Sequence, residues 1–164
     1  MSSRMKPQSP DLAPPARILE HGQISDRRKK TSVETAPILV VEDEANIRKL
    51  VSVNLASRGY PVFEAGDAMQ AMAHLRESAP ALLILDIKLP DLTGWELLQR
   101  IEQDAAIPSE FPVLVMTASI MDAHVDLRKF PRVTEILIKP FSAPVLIAAV
   151  QRALQSARSP HSPQ

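Results

Sequence analysis

Five residues able to do chemistry stand where short apolar runs end. Glu42 and Asp43 follow Ile38–Val41, Asp86 follows Leu82–Leu85, Thr117 follows Val113–Met116, and Lys139 follows Ile136–Ile138. Three carboxylates gathered in one cleft repel each other, and a hard divalent cation with oxygen ligands relieves that repulsion, so the set reads as a magnesium site. With the cation bound, the Asp86 carboxylate can attack phosphorus while the Lys139 ammonium and the Thr117 hydroxyl hold the phosphoryl oxygens as charge develops. Taken one at a time, each residue has a plainer role. Glu42, Asp43 and Glu44 could cap a helix, Asp86 could open a turn, Thr117 could be a cap, and Lys139 could be a solvated strand end. Their occurrence together, at one edge of one fold, favours the chemical reading.

The elements that would position them follow from the hydrophobic period, which switches repeatedly between strand and helix. Ile38–Val41 reads as a strand, and Ile47, Leu50, Val51 and Leu55 then recur at helical spacing. Pro61 to Ala65 is a second strand, followed by a helix from Asp67 with Ala68, Ala71, Met72 and Leu75 on its apolar face and Asp67 with Gln70 as its cap pair. Leu82–Leu85 is the third strand, and Thr93 and Glu96 spell a capping box before Trp95, Leu98 and Ile101. Val113–Met116 is the fourth strand, with a weaker helix over about Met121 to Phe130. Ile136–Ile138 is the fifth, and a final helix runs from Ala143 to Ala157 with Ser142 as cap and Pro144 in its first turn. Strands that alternate with helices need crossover connections, so the expected fold is α/β: a doubly wound, five-stranded parallel sheet flanked by five helices. Ligands of such sheets gather at the carboxyl edge of the strands, where the five residues lie.

Composition removes several function classes. The 164 residues carry 19 bases against 19 acids and no cysteine, which excludes a global field toward DNA or membranes, a disulfide frame and a thiolate nucleophile. Gly22, Gly59, Gly66 and Gly94 are too few and too scattered for a dinucleotide or P-loop signature, and the four histidines are too far apart for a local zinc motif. No apolar run approaches a membrane span and no signal-peptide core is present, so a cytoplasmic protein without membrane contact is expected. Residues 1–35 are rich in Pro and Ser and contain the run Arg27, Arg28, Lys29, Lys30; they are expected to be a disordered basic tail. Residues 36–158 form the expected domain, and 159–164 a short disordered end.

The strings ILVVEDE (38–44), LLILDIKLPDLTGWELL (82–98), VLVMTAS (113–119) and ILIKPF (136–141) resemble the receiver domain of two-component response regulators over residues 37–157. The resemblance implies the flavodoxin-like receiver fold with Asp86 as phospho-acceptor. It implies Mg²⁺ held by Asp43, Asp86 and the backbone carbonyl of Lys88, with Glu42 acting through water. It makes Thr117 the phosphate-sensing hydroxyl and Lys139 the invariant lysine, preceding Pro140 in a cis peptide. It further implies a sensor histidine kinase or phosphotransfer protein as donor, and a change that spreads to the fourth helix, fifth strand and fifth helix. Two positions depart from the pattern: Ile136 stands where that family has an aromatic switch residue, and Arg132 where a glycine often turns the chain into the fifth strand.

Too few residues follow the domain for a helix-turn-helix, so no DNA contact is expected. The leading expectation is therefore a single-domain regulator, not an enzyme, that accepts phosphate and acts on a downstream protein target. The alternative is an interaction module that works without phosphorylation. A haloacid-dehalogenase-like phosphatase would need a second aspartate where Lys88 stands. Val145 to Val150 are six consecutive apolar residues around the fifth helix. With Leu146, Ala149 and Ala153 inward, Val145, Ile147 or Ala148 is left toward solvent or the fourth helix, which predicts a docking or homodimer surface on the fourth helix, fifth strand and fifth helix.

Overall fold

The computed structural model describes residues 36–158; the expectations for residues 1–35 and 159–164 fall outside them. Five strands, β1 (Ile38–Val41), β2 (Val62–Ala65), β3 (Leu82–Asp86), β4 (Val113–Thr117) and β5 (Val133–Ile138), pair in parallel in the order β2-β1-β3-β4-β5. Between and after them run α1 (Ala45–Ala56), α2 (Ala68–Glu77), α3 (Gly94–Gln103), the single turn α4 (Ile120–Ala123) and α5 (Ala143–Arg158). This is the expected doubly wound α/β fold.

Strand periodicity divides the core into two layers. Ile38, Val40, Leu82, Ile84, Leu114 and Met116 point to one face, where they pack with Val51 and Leu55 of α1 and with Leu146, Ile147, Ala149, Val150 and Ala153 of α5. Leu39, Val41, Leu83, Leu85, Val113 and Val115 point to the other, against Ala68, Ala71 and Leu75 of α2 and Leu97, Leu98 and Ile101 of α3. Because β1, β3 and β4 are covered on both faces, they read as unbroken apolar runs in the sequence. The caps fall as expected: the Asp67 side chain accepts from the Gln70 N–H, and Thr93 and Glu96 close a reciprocal capping box. Gly59 ends the turn after α1 with a φ of 84°, a region that side chains disfavour.

Four expectations need correction. The fourth helix, expected to reach Phe130, stops at Ala123, and Leu127–Lys129 form only a 3₁₀ turn. The Asp126 side chain accepts the Arg128 N–H, a local bond that competes with helix, and Pro131 follows closely. Phe130 turns inward instead, its ring 4.9 Å from that of Trp95. The fifth strand begins at Val133 rather than Ile136, because an edge strand that is only partly buried along its length tolerates Thr134 and Glu135, the latter paired with Arg152 of α5. Leu50, expected on the apolar stripe of α1, faces solvent. Ile147, expected at the surface with Val145 or Ala148, is only 4% exposed, whereas Val145 is 49% exposed. Helix α5 crosses the sheet between β4, β5 and α1, so its inward stripe is wider than one row of positions.

Ile147→Ala is expected to lose roughly 2–5 kcal/mol of stability through the cavity it leaves. Val145→Ala should stay within about 0.5 kcal/mol of the parent, as exposed substitutions do. Urea unfolding of the two variants checks the assignment, and equal effects would contradict it.

Candidate functional site

The sheet order reverses direction between β1 and β3, so the loops leaving these strands part to opposite faces and open a crevice at their carboxyl ends. Glu42, the first residue after β1, lies on one side, its N–H donating to the Ala65 carbonyl of β2 at 3.1 Å. Asp86, the last residue of β3, lies on the other. Both are almost wholly enclosed, at 1% and 4% exposure, while Asp43 beside them is open to solvent. Lys139 enters from the end of β5. Its N–H donates to the Thr117 carbonyl at 2.7 Å, the bond to Pro140 is cis as expected, and its Nζ donates to Glu42 Oε2 at 2.8 Å and Asp86 Oδ2 at 3.1 Å. One ammonium thus joins two buried carboxylates contributed from opposite sides of the crevice.

Burial works on both signs of charge here. Removal from water pushes the Glu42 carboxyl up to about 7, against the hydrogen bond from Lys139 that pulls it down, with the Asp86 charge adding to the rise. Burial alone would depress the Lys139 ammonium, but its hydrogen bonds to Glu42 and Asp86 outweigh that and hold it above its ordinary value.

Oxygens of Glu42, Asp43 and Asp86 all lie within 4.8 Å of one another. Three carboxylates compensated by one ammonium, with oxygen as the only donor type, fit a small hard dication such as Mg²⁺. The Lys88 backbone adjoins this cluster, its N–H donating to Asp86 Oδ1 at 3.3 Å. Thr117 ends β4 in the same crevice and is 1% exposed, but its hydroxyl is engaged within its own loop, donating to the Ser119 carbonyl at 3.2 Å and accepting from the Ser119 N–H at 3.1 Å. The structure therefore brings Glu42, Asp43, Asp86 and Lys139 together, with Lys88 at the rim and the Thr117 hydroxyl turned to Ser119.

Sequence reasoning missed three supports. Gly94 opens α3 directly behind β3, where a Cβ would lie 2.6 Å from the Asp86 carbonyl oxygen, so any side chain would displace Asp86. A glycine in a capping box carries no signal of that contact. Arg48, which reads as an ordinary solvated helix charge, donates to the Glu42 carbonyl at 2.6 Å. Trp95 donates its indole N–H to the Asp122 carbonyl at 3.1 Å and so ties α4 to α3, a long-range contact that no local pattern shows.

The strand order and crevice define a flavodoxin-like α/β domain with an acidic site at its switch point. Residues 38–151 match the response regulator receiver domain, and the chain belongs to that family. It is 32% identical over 118 residues to the phosphate regulon transcriptional regulatory protein PhoB of Pseudomonas aeruginosa, which covers 72% of this chain and 51% of that protein. To the DNA-binding response regulator MtrA of Mycobacterium leprae it is 29% identical over 118 residues, covering 72% and 51%. Among solved structures it resembles the chemotaxis response regulator CheY4 of Vibrio cholerae, with a TM-score of 0.65, 28% identity and coverage of 73% of this chain and 98% of that one. NtrX of Brucella abortus is 33% identical with a TM-score of 0.66, over 76% of this chain and 28% of its own. The chain spans about half the length of the curated relatives it matches. Among the described residues no helix is long and apolar enough to cross a membrane.

The raised Glu42 carboxyl predicts a pH dependence in metal-free protein. An unfolded Glu42 loses its proton near 4.5 while the fold retains it to about 7, so this group's contribution to stability is full below 4.5 and is lost as the pH rises toward and through 7. Glu42→Gln, melted in chelator beside the parent, should therefore gain relative stability from about pH 4.5 to 7 and hold a constant advantage above. Parallel melting curves across that range would contradict the assignment.

Proposed function

We propose that this receiver domain accepts a phosphoryl group on Asp86 from a phosphohistidine of a sensor histidine kinase or phosphotransfer protein. The observation that carries the reading is the Lys139 ammonium held between the buried Glu42 and Asp86 carboxylates at the switch point. In the transfer an Asp86 carboxylate oxygen forms the new O–P bond, the P–N bond breaks, and the donor imidazole leaves with its electron pair and takes up a proton. Asp43, Asp86 and the Lys88 carbonyl, with Glu42 through water, would hold Mg²⁺, whose charge would offset that of the transferring oxygens. Lys139 follows the charge, exchanging a carboxylate oxygen for a phosphoryl oxygen. The Thr117 hydroxyl exchanges its Ser119 bonds for the phosphate, which pulls on the loop that opens α4.

The phosphate ends on the chain itself, so the protein acts as a switch rather than a turnover enzyme. Its output is protein contact in the cytoplasm with a downstream target, or with a second copy, through α4, β5 and α5. On that side Ile120, Met121, Ile138 and Val145 are exposed. A second reading, an interaction module independent of phosphorylation, draws on Ile136. This residue packs against the core layer of α2 and α3, so no aromatic ring at its position swings between solvent and Thr117.

Incubation with Mg²⁺ and acetyl phosphate, followed by intact mass measurement, is expected to add one phosphate to the parent and none to Asp86→Asn. Excess chelator should abolish uptake, and Lys139→Ala should slow it by about 10-fold or more, the scale of losing one charge-stabilising group. Undiminished labelling of Asp86→Asn would refute the acceptor. A parent that takes no phosphate but binds its partner would favour the second reading.

A further inference from the structure

We propose that Arg48 is a positioning residue that makes the acidic crevice selective for a small dication; the inference rests on reading Glu42, Asp43 and Asp86 as the cation site. Arg48 lies on α1, outside the crevice, yet its guanidinium connects three parts of the fold. Nη1 donates to two consecutive carbonyls, those of Glu42 at 2.6 Å and Asp43 at 3.3 Å, and Nε lies 3.4 Å from Glu64 Oε2 on β2. On its remaining side stands Gly66, where a Cβ would come 3.3 Å from Nη1, and the Gly66 N–H is held by the Gln70 side chain. The loop carrying two of the three acids is thereby tied through its own peptide groups to the neighbouring strand.

Two physical consequences follow. Without a cation, repulsion among three carboxylates pushes the loop away from Asp86, and the Arg48 fork opposes that opening. A positive charge so close would also repel a dication, but Glu64 faces the same guanidinium and offsets it. Arg48 and Glu64 thus form a brace that adds stiffness without much net charge. Mg²⁺ requires short, nearly ideal octahedral coordination, whereas Ca²⁺ accepts longer and more variable ligand distances. Stiffness in the acid pair therefore benefits Mg²⁺ more than Ca²⁺. Lysine cannot replace the fork, since a point charge on a flexible stem does not reach two carbonyls and a carboxylate in fixed geometry.

The test is calorimetric titration of the full-length protein with Mg²⁺ and with Ca²⁺, beside thermal melting in chelator. Arg48→Lys should weaken Mg²⁺ binding by about 10-fold or more, as loss of groups that orient metal ligands does, and Ca²⁺ binding by clearly less, so that the Mg²⁺/Ca²⁺ preference falls. Gly66→Ala, which crowds the guanidinium, should shift the preference in the same direction. Glu64→Gln should weaken both cations together, and Arg76→Gln, which breaks the remote pair with Asp104, should change neither. Phosphoryl uptake by Arg48→Lys should approach the parent's plateau only at higher Mg²⁺. Equal losses for both cations in Arg48→Lys, following a lowered melting temperature, would show a merely structural role and overturn the proposal. Unchanged affinities would overturn it equally. A parent that binds neither cation would instead remove the cation reading on which it rests.

Discussion

The contact of Lys139 with Glu42 and Asp86 is the constraint around which the other parts of the site are arranged. An ammonium and two carboxylates taken out of water are costly unless each finds a partner, and their opposite charges meet across the crevice. That requirement fixes where the ends of β1, β3 and β5 stand relative to each other. The Lys139 N–H bond to the Thr117 carbonyl then fixes the end of β4 as well. The cluster still carries more acid than base, and the Glu42 carboxyl is raised first by its burial, with the Asp86 charge adding to the rise. A dication or a phosphoryl group changes this balance directly, so events at the site have an immediate electrostatic meaning for the elements that build it.

The rest of the domain supplies rigidity on one side and freedom on the other. Strands β1, β3 and β4 are buried on both faces, and Gly94 lets α3 press against β3 with no side chain between them. Arg48 adds a cross-tie under the acid loop. Helix α4 is the contrast, being a single turn with no buried residue, held by the Ser119 cap and by the indole bond from Trp95. An element with few apolar contacts costs little to rearrange, and this one begins at the loop that engages the Thr117 hydroxyl. The aromatic contact near α4 is made by Trp95 and Phe130.

Much of this was determined by the sequence alone. Strands buried on both faces leave continuous apolar runs, and Asp67 and Thr93 place caps through bonds to residues three positions away, so β1, β3, β4, α2 and α3 are legible locally. Glu42, Asp43 and Asp86 stand together for the same reason, since they lie where such runs end, and Lys139 joins them from the end of the edge strand. What lay beyond local pattern was decided by tertiary structure. Whether Ile147 or Val145 faces outward depends on how widely α5 is covered by β4, β5 and α1, which six consecutive apolar residues do not specify. The edge strand β5 loses its alternation where Arg152 reaches over to Glu135, and the fourth helix shortens where the Asp126 bond to its own backbone wins over a weak apolar stripe. Gly94, Arg48 and Trp95 act through contacts with residues outside their own turn of chain, and a contact of that kind exists only once the fold has brought the two segments together.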